Sequence, residues 1–276
     1  MIATPASSFI ARREHFEVVG STNDVVRSWL GLGEPEVCLA VADEQSAGRG
    51  REGRTWTAPP GTALLLSLGF RPSWLEPSHV WQIAASVGLA MAEAGEAVAG
   101  LANNAIRLKW PNDLVAESAD GAVRKLAGIL GETNGLGTGQ AIAIVGIGVN
   151  VDWQAADFPA DLATTMTSLR ELSGDAVDRQ QLLDAFLDRV DIRLRALRMG
   201  SFDAIGWSHR QLTDGRLVRL EDRSGVGEVV RAVRVDPMTG ALVVEDPSGE
   251  GGQRAVLSGE IHHLRLDVDP SGGTAV

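Results

Sequence analysis

The sequence predicts an α+β protein in two parts, a mixed β-sheet covered by helices followed by a small all-β module. Three observations predict it. Short apolar runs bounded by turn residues recur between residues 37 and 149. Two long stretches, one beginning near Pro77 and one over residues 178–198, carry apolar residues at helical spacing. From Thr213-Asp214-Gly215 onward the chain breaks into short β-like runs separated by Gly, Pro and Asp. With 276 residues, 44% of them hydrophobic, the chain can bury one large core and a smaller one.

In chain order, residues 1–15 read as a flexible tail. Ser21-Thr22-Asn23-Asp24 precedes Val25, Val26, Trp29 and Leu30, the spacing of a capped amphipathic helix. Residues 37–42 and 63–70 are apolar strands, and the helix near Pro77 carries Val80, Ile83, Ala84, Val87 and Met91 on one face. Ile106, Leu108 and Trp110 alternate with Arg107 and Lys109, as in a half-buried strand. Pro111-Asn112-Asp113 breaks that strand, Leu114-Val115-Ala116 starts the next, and 117–123 reads as a hairpin tip. Residues 125–132 and 141–149 are further strands. The 178–198 helix buries Leu182, Leu183, Phe186, Val190, Leu194 and Leu197. The second part, 213–268, holds runs at 217–220, 229–235, 242–245 and 255–257, and is expected to be barrel-like because closure removes exposed edges. Residues 269–276 are expected to be disordered.

Composition excludes several classes of function. Asp and Glu number 36 against 25 Lys and Arg, a formal net charge of −11, which opposes general nucleic-acid affinity. No stretch approaches the ~20 consecutive apolar residues of a membrane span, and Met1-Ile2-Ala3-Thr4-Pro5 lacks the layout of a secretory signal. A single cysteine, Cys38, allows no intrachain disulfide, so a cytoplasmic enzyme is the simplest class. The five histidines show no metal-ligand spacing, and adjacent His262 and His263 would point to opposite faces of a strand.

Within this acidic chain, Gly48-Arg49-Gly50-Arg51-Glu52-Gly53-Arg54 packs three arginines and three glycines into seven residues. Glycines let backbone approach a ligand closely, and arginines present forked donors that match phosphate and carboxylate oxygens. An anion-binding loop is the favoured reading over a solvated basic turn. No Gly-Lys-Ser/Thr follows, so it is not a Walker loop, and a dinucleotide fingerprint needs no arginines. Three other segments are ambiguous singly. Lys109-Trp110-Pro111-Asn112-Asp113 places an amide and a carboxylate at a corner that suits either Mg²⁺ or a plain Asx turn. Lys125, at the start of an apolar strand, reaches inward to an anion or snorkels to solvent. The glycines of Val145-Gly146-Ile147-Gly148-Val149-Asn150-Val151 admit another backbone or a flat ligand, or mark bulges.

Their order along the chain is more specific than any of them. Ser21-Thr22-Asn23, Gln45 with the Gly48–Arg54 loop, Lys109-Trp110-Pro111-Asn112-Asp113, Lys125-Leu126-Ala127-Gly128-Ile129, Gly146-Ile147-Gly148-Val149-Asn150, Thr167-Ser168-Leu169 and Gly259-Glu260-Ile261 together resemble the biotin protein ligases, or biotin–[acetyl-CoA-carboxylase] ligases, over nearly the whole chain. The resemblance implies a class II synthetase-like catalytic domain of the biotin/lipoate ligase type over 16–212, and an SH3-like barrel over 213–268. It implies two-step chemistry: biotin and ATP give biotinyl-5′-AMP and pyrophosphate, and a lysine of a biotin carboxyl carrier domain, from an acyl-CoA or pyruvate carboxylase, then takes the biotin. Joining two anions requires their repulsion to be neutralised first, which accounts for arginines in an acidic protein.

By the same resemblance, Ser21, Thr22, Asn23, Gln45, Arg49, Gly50, Arg51, Lys125 and Gly128 are expected at biotin. Arg51, Arg54, Trp56, Asn112, Lys125 and Asn150 are expected at ATP, with Asp113 at Mg²⁺ and Asn112 orienting it. Arg51 and Lys125 are the expected catalytic pair. Trp56 packs over adenine or closes the loop, or else is a core anchor. The loop is expected to be mobile when empty. Some members carry an N-terminal winged helix that represses transcription; the stretch before Ser21 is too short for one, so a ligase without DNA binding is expected. A lipoate–protein ligase is the nearest rival, but its Arg-Arg-x-x-Gly-Gly-Gly-type loop is missing. A nucleic-acid module using Arg49, Arg51 and Arg54 is the rival of another class.

Overall fold

The computed structural model describes residues 9–118, 121–221, 227–248, 251–257 and 260–263. Seven strands form one mixed sheet: β1 (Arg12–Val19), β2 (Cys38–Gln45), β3 (Ala63–Phe70), β4 (Arg107–Lys109), β5 (Asp113–Glu117), β6 (Val123–Asn134) and β7 (Ile142–Asn150), in the order β1-β2-β3-β7-β6-β5-β4. Only the β1–β2 pair is parallel. β3, Ala-Leu-Leu-Leu-Ser-Leu-Gly-Phe, is buried along its whole length, as a central strand covered on both faces must be.

Helices cover both faces. On one side lie α2 (Trp81–Val98) and α4 (Arg179–Arg198), closing a continuous core that includes Leu39, Leu66, Val87, Val145, Ile147 and Phe186. On the other lies α1 (Thr22–Gly31), whose Val26, Trp29 and Leu30 pack with Cys38, Ala40 and Ile144. Gly69 lets α1 lie this close: a Cβ there would sit 2.3 Å from Val26. Asp178 caps α4, accepting from the Gln181 amide at 2.8 Å. Ser21 holds the N-cap position of α1, but its side chain makes no capping bond there.

The N-terminal reading needs correction. β1 begins at Arg12, inside the segment expected to be tail, and lies beside β2 at the sheet edge. Its burial falls on Arg12, Phe16 and Val19, so the strand lacks a two-residue alternation.

Two further helices are short, α3 (Leu169–Ser173) before α4 and α5 (Ala204–His209) before the second sheet. Glu96 of α2 and Arg210, both over nine-tenths buried, make two bonds of 2.7 and 2.8 Å, and both also bond the backbone of Ile106. Every charge in that pair is met, which buried ions require. The second sheet is antiparallel, in the order β11-β10-β9-β8-β12, from β8 (Leu217–Glu221), β9 (Gly227–Val235), β10 (Leu242–Glu245), β11 (Arg254–Val256) and β12 (Glu260–His263). Among the described residues it is open, so the expected closure into a barrel is not observed. Its inward residues Val218, Val230, Leu242 and Val244 join the same apolar cluster as the first sheet, and Trp110 Nε1 donates to the Gly240 carbonyl at 3.1 Å. Gly259 and residues 269–276 lie outside the described residues.

Candidate active site

Strand register builds the floor of the site. On the α1 face, one transverse row runs Ala40, Ser67, Gly146, Leu130, and the next runs Ala42, Leu65, Gly148, Gly128, Asp113. The glycines remove side chains from the middle of both rows. A planar group of the chain lies on each: a Cβ at Gly146 would be 2.3 Å from Asn23 Oδ1, and one at Gly148 would be 2.6 Å from the Trp56 ring. These glycines therefore serve close approach, not bulges. Trp56 also touches Gly128, and its Nε1 is buried with no hydrogen-bond partner among the described residues.

Over the first row stands a polar cluster from the start of α1. Ser21, Thr22, Asn23 and Ser67 are all buried. Gln45 Oε1 accepts from the Thr22 amide at 2.7 Å and lies 3.0 Å from Thr22 Oγ1. Ser67 Oγ lies 2.7 Å from Thr22 Oγ1 and 2.6 Å from Asn23 Oδ1. The Asn23 amide group donates to Glu132, which also pairs with Arg27 at 2.8 Å.

The arginine loop is a small hairpin. Arg49 bridges Thr55, the Gly50 amide donates to the Arg54 carbonyl at 2.6 Å, and the Trp56 amide donates to Gly48 at 3.0 Å. Its turn uses left-handed backbone at Glu52 and Gly53. Arg49 forms a forked pair with Asp24, both bonds at 2.7 Å. That guanidinium, assisted by Arg27, holds the Asp24 carboxyl below the usual aspartate range, and Asp24 in turn raises Arg49. Asp24 thus relieves part of the mutual repulsion of the arginines in a loop expected to be mobile when empty. Arg54 Nε points back to the Arg51 carbonyl at 3.4 Å.

Over the second row the expected cationic residues meet. Arg51 donates to Asn112 Oδ1 at 3.3 Å, and Asn112 Nδ2 donates to the Ile129 carbonyl at 2.9 Å. The Asn112 side chain thus fixes Arg51 to β6; these two bonds do not engage Asp113. Lys125 Nζ sits 2.7 Å from Asp113 Oδ1 and 5.7 Å above the Trp56 ring. The Lys125–Asp113 contact is close but poorly aligned, so it is an ion pair without a directed hydrogen bond. Lys125 backbone pairs with Thr165 and Thr167, and the buried Asn150 donates to the Thr167 carbonyl at 2.9 Å. A cleft of about 590 Å³ opens beside this cluster, with Arg51, Asn112 and Asp113 at its wall together with Trp81, Gly131 and Gln211.

The fold thus gathers the sequence candidates into two groups. Thr22, Asn23 and Gln45 form one; Arg51, Trp56, Asn112, Asp113, Lys125 and Gly128 form the other, with Asn150 joined through Thr167. Arg49 sides with α1. Sequence reasoning missed Asp24, Ser67 and Glu132. Ser67 left a signal, being the one polar residue in a strand that is otherwise apolar.

Fold and site together define a mixed-sheet α+β domain with a smaller antiparallel sheet attached. Residues 15–150 match the family model described as the biotin/lipoate A/B protein ligase family. The bifunctional ligase/repressor BirA of Bacillus spizizenii is 31% identical over 235 residues, covering 84% of this chain and 69% of that protein. The biotin–[acetyl-CoA-carboxylase] ligase of Mycobacterium tuberculosis is 31% identical over 250 residues, covering 89% and 86%. The solved biotin protein ligase from Aquifex aeolicus, in complex with biotin and ATP, superposes with a TM-score of 0.73 at 26% identity, over 92% of this chain and 99% of that one. The chain belongs to the biotin/lipoate A/B protein ligase family, and within it to the biotin protein ligases. Among the described residues no helix is long and apolar enough to cross a membrane.

Proposed function

We propose that this chain adenylates biotin with ATP and transfers the biotin to a lysine of a biotin carboxyl carrier domain. The observation that carries the reading is the two-ended floor. Thr22, Asn23, Gln45 and Ser67 form a hydrogen-bonding cluster over Gly146, a set of cations stands at Gly128 and Asp113, and the Trp56 indole lies on Gly148 between them. That layout suits a small acid with a polar head and an anionic tail.

Thr22, Asn23 and Gln45, with Ser21 beside them, hold the ureido head, whose polar groups would each cost about 1–3 kcal/mol if buried unpaired. Gly128 admits the chain of the acid, with Arg49 and Gly50 as the rim. Arg51 and Lys125 are the catalytic pair. They draw the biotin carboxylate and the α-phosphate together, so that a carboxylate oxygen bonds to phosphorus and pyrophosphate leaves. Arg54 meets the leaving phosphates, while Trp56, Asn112 and Asn150 line the nucleotide. In the second step the carrier lysine's amine attacks the carbonyl of the mixed anhydride, AMP leaves and the amine's proton is lost. Asp113 suits Mg²⁺, a hard cation that takes one or two carboxylates plus substrate phosphates; its Oδ1 is buried with no aligned hydrogen bond. The ion's charge would lower the repulsion between the phosphates and the incoming carboxylate.

Residues 16–212 act as the catalytic domain and 213–268 as the second domain, read as an SH3-like barrel. The carrier belongs to an acyl-CoA or pyruvate carboxylase, and the reaction takes place in the cytoplasm. Pyrophosphate release with biotin, ATP and Mg²⁺, followed by transfer to an apo carrier domain, tests the proposal. Release with lipoate but not with biotin would refute it.

A further inference from the structure

We propose that Glu132 is a positioning residue that sets the direction of a hydrogen-bond chain and so turns the Thr22 hydroxyl into an acceptor for an N–H of the substrate's head. This deepens the biotin reading above and rests on it.

Each hydroxyl in the chain has a single proton to donate. Ser67 carries one hydroxyl proton but makes two close oxygen contacts, 2.7 Å to Thr22 Oγ1 and 2.6 Å to Asn23 Oδ1. Thr22 likewise has one proton for Ser67 and for Gln45 Oε1 at 3.0 Å. Local geometry alone leaves the direction open, because hydroxyls rotate and an Asn amide can turn over. The carboxylate at the end decides it. Glu132 only accepts, and it holds the Asn23 side chain in its shortest contact, so the Asn23 NH₂ must face Glu132. The Asn23 carbonyl then faces Ser67, and two oxygens 2.6 Å apart require a proton between them, which Ser67 supplies.

With its proton spent, Ser67 accepts from Thr22. Thr22 Oγ1 and Gln45 Oε1 are then left 3.0 Å apart with no hydroxyl proton between them, a paired-acceptor edge. An N–H donor relieves that edge; a ligand without one does not. A cyclic urea supplies such donors.

The surroundings hold Glu132 in place. Arg27 bonds it at 2.8 Å, and Arg49 lies 3.9 Å away while it engages Asp24. Gly146 leaves the space that the Asn23 amide occupies. Glu132 is also on β6, so its register opposite Ile144 places it over the α1 face.

Calorimetric titration with biotin and with biotin methylated at both ureido nitrogens tests the chain of donors, using the native protein, Glu132→Gln, Ser67→Ala and the double variant Asn23→Asp/Glu132→Gln. Glu132→Gln lets the Asn23 amide take either orientation. It should weaken biotin by about tenfold or more, the loss of one buried bond linked to a charge, yet change the methylated compound by less than about twofold. In pyrophosphate release the same variant should raise KM for biotin and leave kcat within about twofold. Ser67→Ala should lose the discrimination in the same way. The double variant reverses donor and acceptor at one contact but again gives Ser67 an obligate acceptor, so it should recover most of the preference for biotin. Equal weakening of both compounds, or a double variant no more selective than Glu132→Gln, would overturn the inference. Native protein that does not bind biotin would overturn the biotin reading itself; native binding with unchanged selectivity in Glu132→Gln would overturn this inference alone.

Discussion

Replacing Lys125 by alanine should separate chemistry from stability by a wide margin. In the structure its ammonium lies between Asp113, at 2.7 Å, and the Trp56 ring, at 5.7 Å, where the Gly148–Gly128 row ends. A unit charge ~4 Å from an oxygen carrying developing charge, at an effective dielectric near 20, contributes about 4 kcal/mol. Its loss should slow adenylation by roughly three orders of magnitude. The structural cost is far smaller. The lysine side chain is 35% exposed, so solvent screens its pairing, and the pair together with the ring contact contributes about 1 kcal/mol or less. That corresponds to a fall in Tm of about 2–4 °C. Pyrophosphate release and differential scanning calorimetry on the same preparation measure both quantities. Near-normal pyrophosphate release would remove Lys125 from its role, and a fall in Tm of more than about 10 °C would identify it as a structural residue.

Two further perturbations follow from the geometry. Gly148→Ala places a methyl 2.6 Å from the Trp56 ring, against an ordinary contact near ~3.5–4.0 Å. The ring must retreat by about 1 Å, at a cost of about 1–3 kcal/mol. Both Tm and the tryptophan emission should shift; an unchanged spectrum would show that the indole does not lie on that glycine. Burial raises Asp214 above its ordinary value of 3.8, even though Val235 donates to it. The folded state therefore keeps that proton to higher pH than the unfolded chain, and stability falls as pH rises from the unfolded pKa through the folded one. Asp214→Asn keeps the acceptor for Val235 and removes the titration, so from about pH 4 to about pH 7 its Tm should gain on the native protein. Parallel curves would refute the assignment.

How much was legible in the sequence depended on where the partners lay. β3 was fully readable because a strand buried on both faces is apolar nearly throughout, and α4 was readable from its apolar stripe. β1 was not, since an edge strand needs only a few covered positions, and its Arg12 pairs with Glu34 while His15 Nε2 lies 3.2 Å from Asp43. The arginine loop stood out by composition alone. Its restraint was hidden, because Asp24 reads as an ordinary first-turn acid until the fold brings Arg49 to it. Glu132 and Asn23, 109 positions apart, became partners only through the register of β6 against β7 and the seating of α1. The second sheet was legible as short strands, but closure is a matter of edges meeting, and no local pattern encodes that.

β7 carries a pattern that hydropathy does not register. From Val145 to Val149 its residues toward α2 are Val145, Ile147 and Val149 and those toward α1 are Gly146 and Gly148, so this stretch alternates in volume while remaining nonpolar. Over that stretch one face is filled by its own side chains, and at the two glycines the other is filled by planar groups borrowed from distant segments, the Asn23 amide and the Trp56 indole. Selection on such a strand acts on size: a methyl added at either glycine would be tolerated by every polarity scale and rejected by the neighbour already occupying its place.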